Sequence, residues 1–167
     1  SLSSGEEAGL FAKGLKCSSN MAAFANSCFA QIYDFNDGHR MAAQFGGTPH
    51  PGRTVVPAVL AEAERNRVSG IRLLSALIIG YEIAIKSRWR NDKSVGPVLA
   101  SAAIAARLRG YSRKETLAAL SIALSTSMHR PRFDTVPPYL RHGLAARVGV
   151  EAAMLAGCGM KRTKISS

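Results

Sequence analysis

Apolar positions recur along most of this chain at helical spacing. Between Met21 and Phe35 they fall at Ala22, Ala25, Phe29, Ile32 and Tyr33, which predicts a first helix. Gly46-Gly47-Thr48-Pro49-His50-Pro51-Gly52 then reads as loop, because its glycines and prolines set the backbone and the prolines remove donors. A second helix is expected over Val55 to Val68, with Pro57 in its first turn and Ser69-Gly70 as the break. Ile71 to Arg88 is apolar on most faces, which predicts a helix at the centre of a bundle. Glu82 within it would then need a partner, and an arginine from a neighbouring helix is expected.

The second half continues the pattern. Ala and Gly between Gly96 and Arg109 predict close helix–helix contact, and Gly110 sits in the usual stop position. Ser112-Arg113-Lys114-Glu115 has the form of a capping box and opens a helix to about Ser127. Three prolines between Arg130 and Pro138 demand loop. A last helix is expected from about Arg141 to Ala156, ending at Gly157 or Gly159. No segment alternates as a strand would, and no internal repeat or low-complexity linker is visible. The expectation is an all-α fold: a compact bundle of about six helices forming a single domain over residues 1–167.

Composition agrees with that picture. In 167 residues, 47% are hydrophobic and only 7% aromatic, which favours close-packed helices over a β-sandwich. The three cysteines, Cys17, Cys28 and Cys158, follow no metal-like spacing and are an odd number, so a reducing, cytoplasmic setting is expected. The polar start, Ser1 to Glu7, predicts no secretory leader. The longest apolar run, Leu73 to Ile85, is interrupted by Gly80 and Glu82 and is too short to span a bilayer.

The net charge of +11 is lopsided. Six acids face four bases through Glu64, and five acids face eighteen bases from Arg65 onward. Such a surface suits anionic partners or is a solvated basic face. The bases are scattered through helical patterns without interleaved aromatics, so neither nucleic acid nor membrane is an expected partner.

Candidate chemistry concentrates in Tyr33-Asp34-Phe35-Asn36-Asp37-Gly38-His39 and in His50-Pro51-Gly52. Asp34 and Asp37 stand at i and i+3 at the end of the first predicted helix, which would place both carboxylates on one side. Two adjacent carboxylates can have their pKa values pushed apart, leaving one to act as a base. Alternatively Asp37 forms a turn with Gly38, and Asp34 anchors a loop amide. Histidine is the side chain suited to proton transfer near neutral pH, which makes His39 and His50 candidates for that role. No third ligand stands at a fixed spacing, so no metal is expected. His142 follows Arg141, a pair suited to anion contact at a helix start.

Taken together, Phe24-Ala25-Asn26, the Asp34–His39 segment, His50-Pro51-Gly52-Arg53-Thr54-Val55-Val56-Pro57-Ala58, Gly80-Tyr81-Glu82 and Gly143-Leu144-Ala145-Ala146-Arg147-Val148-Gly149-Val150 resemble the MmgE/PrpD family in order and spacing. The resemblance covers nearly the whole chain. It implies a helical domain that is joined, in the family, to a second α/β domain. It also implies cofactor-free, metal-free lyase or isomerase chemistry beside carboxylates, and homodimers formed through the helical part. By the same resemblance Asp34 and His50 are active-site residues. Phe35, Asp37 and His39 follow the same pattern.

The departures bear on activity. Asn36 replaces an Asp of the family pattern, and Gly38 replaces a Thr. Arg90, in Trp89-Arg90-Asn91, stands where the family has a catalytic His. The family's Lys-x-Leu-His reads here as Pro138-Tyr139-Leu140-Arg141. Each lost acid or base typically costs about 10²–10⁴-fold. The expected site therefore has Asp34, His50 and His39 as proton-transfer groups. Asp37, Arg90, Lys93, Tyr139, Arg141 and His142 would hold a small anionic substrate. The alternative is a catalytically silent helical module that dimerises or scaffolds a longer family paralogue. A helical part without its second domain would otherwise expose apolar surface, which also points to a homodimer.

Overall fold

In the computed structural model, residues 5–11, 13–32, 36–40, 50–87, 95–128 and 136–160 are described. They form a short hairpin, β1 (Ala8–Gly9) and β2 (Lys16–Cys17), followed by six helices. These are α1 (Ser19–Ile32), α2 (Gly52–Asn66), α3 (Gly70–Lys86), α4 (Val95–Leu108), α5 (Arg113–Met128) and α6 (Pro138–Gly157). The all-α class and the number of helices agree with the sequence pattern. The hairpin does not. Its strands are two residues each, too short to leave an alternating signature, and they pair antiparallel through Ala8 with Cys17 and Gly9 with Lys16.

Small side chains decide the centre of the bundle. Within α4 only Leu99 and Arg107 escape full burial. α4 packs against α6, α3, α5 and α2, and α6 in turn against α1 and α5. Gly149 is what allows α6 to close on α4: a Cβ there would lie 2.4 Å from the Val98 carbonyl oxygen and 2.5 Å from Ser101 Cβ. The expected close contact of this Ala/Gly-rich helix is therefore real, and α4 takes the central place.

The apolar pattern of Ile71 to Arg88 predicts the central place for α3, but α3 lies at the edge. Ile71, Leu74 and Ile78 are 75%, 53% and 65% exposed and form a stripe at i, i+3 and i+7. High mean apolarity cannot distinguish a core helix from a surface helix with an uncovered apolar face. Only its inner side, Ala76, Gly80, Ala84 and Ile85, is buried. Glu82 is consequently exposed and pairs with Lys86 one turn on, not with an arginine of another helix. The buried acid is Glu62 of α2, fully enclosed and matched by Arg109 just after α4. Burial alone would lower the Arg109 pKa, but the hydrogen bonds and charge of Glu62 leave it raised.

The helix ends follow local chemistry. Gly110 adopts φ +73° directly after α4, the left-handed stop that glycine tolerates. Ser112 and Glu115 form the expected capping box: Glu115 Oε2 accepts from the Ser112 amide at 2.8 Å, and Ser112 Oγ accepts from the Glu115 amide at 3.3 Å. α2 ends earlier than Ser69-Gly70, at Arg67, whose φ of 48° is unusual for a side-chain-bearing residue. Pro57 lies in the second turn of α2, since that helix begins at Gly52. α6 begins at Pro138, three residues ahead of the expected start, because proline needs no amide partner in a first turn.

The hairpin is held by side chains reaching from the helices. Asn26 is 1% exposed. Its Nδ2 donates to the Gly9 carbonyl at 2.9 Å, and its Oδ1 accepts from the Phe11 amide at 2.8 Å. Glu64 Oε2 accepts from the Gly9 amide at 2.6 Å. Glu7 Oε2 accepts from the Ser19 amide at 3.0 Å and lies 3.3 Å from Arg65 Nε. Among the described residues no helix is long and apolar enough to cross a membrane.

Candidate functional site

The site forms where the N-terminus of α2 meets α3, α6 and the segment 36–40. Asp37 lies outside any helix, and Asp34, with which it is expected to share one side, falls outside the described residues. Asp37 instead reaches forward. Both its carboxylate oxygens accept from the Gly52 amide at 3.1 Å, where the positive end of α2 favours an anion. Tyr81 of α3 donates a further hydrogen bond to the same carboxylate. Burial, together with that bond and the Asp37 charge, pushes the Tyr81 phenol up to about 12, so its hydroxyl stays protonated and donates. Gly52 leaves just enough room: a Cβ there would meet Asp37 Oδ1 at 2.7 Å and the Tyr81 hydroxyl at 2.8 Å.

His50 is anchored by the same residue. Its Nδ1 lies 2.7 Å from the Asp37 carbonyl oxygen. A carbonyl can only accept, so Nδ1 carries the proton and, in the neutral ring, Nε2 carries the lone pair. The partner is thus the backbone of Asp37, while the carboxylate of Asp37 is committed to Gly52 and Tyr81.

His142 faces this group from α6, with Nδ1 3.1 Å from Thr54 Oγ1. Burial first, then the positive charges of Arg53, His50 and Arg141, lower its pKa to about 4. At neutral pH His142 is therefore an uncharged hydrogen-bonding group, and the local positive charge comes from Arg53 and Arg141. Arg53 also bonds Gln31 of α1. Arg141 Nε donates to the Val136 carbonyl at 2.8 Å.

The structure thus gathers His50, Asp37, Arg141 and His142 in one region. Tyr139 stands near the start of α6, 46% exposed. His39 lies in the 36–40 segment, half-buried, with an Nδ1 that is shielded from solvent and has no hydrogen-bond partner among the described residues. Asp34, Arg90 and Lys93 fall outside the described residues. Three further members carry no role in the sequence reading: Arg53, Thr54 and Tyr81. Each stands inside a quoted motif: Arg53 and Thr54 directly follow Gly52, which opens α2, and Tyr81 follows Gly80 in the middle of α3. Among the described residues no three His, Cys, Asp or Glu side chains converge as a metal centre would require. A cleft of about 640 Å³ lies elsewhere, between the hairpin and the end of α2, lined by Glu6, Lys16, Glu64 and Arg67 among others. It shares no residue with the His50 region.

The family model of the MmgE/PrpD N-terminal domain matches residues 1–163. The chain belongs to the MmgE/PrpD family. Human (Homo sapiens) cis-aconitate decarboxylase is 32% identical over 161 residues, covering 86% of this chain and 32% of that protein. The chain therefore spans about a third of the length of this curated relative.

Proposed function

We propose that residues 1–167 are a single helical domain of a cytoplasmic lyase or isomerase acting on a carboxylated or otherwise acidic small molecule. His50, with Asp34 and His39, handles the proton. The observation that carries this reading is the 2.7 Å contact from His50 Nδ1 to the Asp37 carbonyl. It fixes the ring and reserves Nε2 as a proton acceptor, the arrangement a general base needs. Arg53 and Arg141, whose charges reach the same region, would hold substrate carboxylate, with Arg90, Lys93, Tyr139 and neutral His142 completing the contacts. The name of the human relative, cis-aconitate decarboxylase, supports a polycarboxylate as the substrate class. In a lyase step the proton moves as water or carbon dioxide leaves the substrate, and in an isomerase step it returns to the substrate, so this proposal invokes neither metal nor cofactor.

Turnover of a panel of di- and tricarboxylates by the full-length protein, followed by NMR, tests the reading. Asp34→Asn and His50→Ala should each abolish turnover while the far-UV circular dichroism stays that of the parent. Undiminished turnover in both variants would sink it.

A second reading, a catalytically silent module, is favoured by the replacements at Arg90, Pro138 and Arg141. It expects a stable complex with a longer paralogue. Self-association belongs to both readings and is supported by the exposed stripe Ile71, Leu74 and Ile78. Light scattering at the dimer mass supports it, and a strict monomer overturns it.

A further inference from the structure

We propose that Tyr81 is a positioning residue for His50: by bonding the Asp37 carboxylate it fixes the Asp37 carbonyl that selects the His50 tautomer. The tautomer claim stands on geometry alone, and only its catalytic use rests on the function proposed above.

Three links make the connection. Tyr81 donates to the Asp37 carboxylate. That carboxylate also receives the Gly52 amide at 3.1 Å. The same residue's carbonyl receives His50 Nδ1 at 2.7 Å. Asp37 is exposed and lies outside regular structure, so no helical or strand hydrogen-bond ladder fixes the direction of its carbonyl. Its side chain is what ties it down, at two points from two different helices.

The place of the Tyr81 hydroxyl is itself determined by packing. Gly80, one residue earlier, has no side chain to hold α3 away from its neighbours. A Cβ there would meet Ile104 Cδ1 at 2.6 Å and Val55 Cγ1 at 2.8 Å. Close approach of α3 to α2 brings the hydroxyl to the α2 N-terminus. Gly80 and Tyr81 thus act as a pair, one setting the distance and the other using it. An imidazole with no such constraint samples both neutral tautomers, so a loosened Asp37 carbonyl releases the choice.

A purely structural role for Tyr81 would pin residues 36–40 to the bundle without setting the ring. The two differ in what the His50 ring nitrogens report. In ¹⁵N-labelled full-length protein at neutral pH, long-range ¹H–¹⁵N spectra should show His50 with Nδ1 protonated and Nε2 bare. Tyr81→Phe keeps the ring packing and removes only the donor. It should shift the tautomer ratio roughly tenfold toward Nε2–H, the scale expected for losing one charge-assisted hydrogen bond. The His142 signals should keep their parent positions. Asp37→Asn keeps the backbone carbonyl while weakening the acceptor, and should move the ratio in the same direction. A Tyr81→Phe protein that melts lower but retains the parent tautomer overturns the proposal, as does an Asp37→Asn protein with an unmoved ratio. A shifted tautomer ratio with undiminished turnover would leave the Tyr81 assignment standing and overturn only the proposed catalytic use of His50.

Discussion

Glu62 and Arg109 meet inside the bundle through two parallel hydrogen bonds, Nε to Oε2 at 2.8 Å and Nη2 to Oε1 at 2.9 Å. The Glu62 side chain is fully enclosed and that of Arg109 is 8% exposed. Asn66 adds a contact to Glu62 Oε2 at 3.3 Å and caps the Glu62 carbonyl at 2.7 Å. The pair joins α2 to the end of α4. Two-point geometry of this kind is what makes a buried ion pair tolerable.

Removing one partner should therefore cost far more than removing both. Arg109→Met leaves a buried carboxylate uncompensated and is expected to destabilise by about 3–5 kcal/mol. The double variant Glu62→Leu with Arg109→Met should recover much of that loss. Urea unfolding of the three proteins checks the order. A double variant no more stable than the single one would contradict it.

His142 makes stability depend on pH in a definite direction. Its pKa is about 4 in the folded chain against an ordinary 6.5. The unfolded chain thus takes up the proton first, and folding is penalised as pH falls. The penalty is absent above pH 6.5, grows below it and is complete near pH 4, reaching about 3 kcal/mol. His142→Gln should flatten the difference in urea midpoint between pH 7 and pH 4.5 relative to the parent. Parallel profiles for the two proteins would refute this assignment.

Two glycines should differ in their tolerance of substitution. Gly149→Ala forces a Cβ against backbone of α4 and is expected to cost about 1–3 kcal/mol, a fall of several degrees in Tm. Gly38 has nothing within 4 Å of an added Cβ, and its φ lies outside the left-handed region. Gly38→Thr, which restores the residue of the family pattern, should leave Tm within a degree or two of the parent. Under the proposed function it should also raise turnover.

Asn26 should control the hairpin more than the bundle. Asn26→Ala removes both bonds to the Gly9–Phe11 backbone, each worth about 1 kcal/mol. Amide exchange at Gly9, Leu10 and Phe11 should accelerate, with α4 and α6 keeping their protection. Equal acceleration throughout would mean that the hairpin and the bundle unfold as one unit.

Local chemistry was legible wherever a residue acts on its own neighbours. The capping box at Ser112 and Glu115, the stop at Gly110 and the tight Ala/Gly packing of α4 all follow from short-range rules, and the structure shows each of them. Family membership was legible for a related reason. The motifs stand in a fixed order along the chain, and the family match spans residues 1–163.

What the sequence determined by itself is therefore the all-α class, most of the helices and the family. Tertiary structure alone decided which helix is central, because apolar content does not reveal which face finds a neighbour. For the same reason the buried acid proved to be Glu62 rather than Glu82. It also decided how Asp37 is used. Its partners, Gly52 and Tyr81, lie 15 and 44 positions further along the chain, and hydrogen bonds over such separations leave no periodic trace. They exist only once Gly80 has let α3 settle against α2.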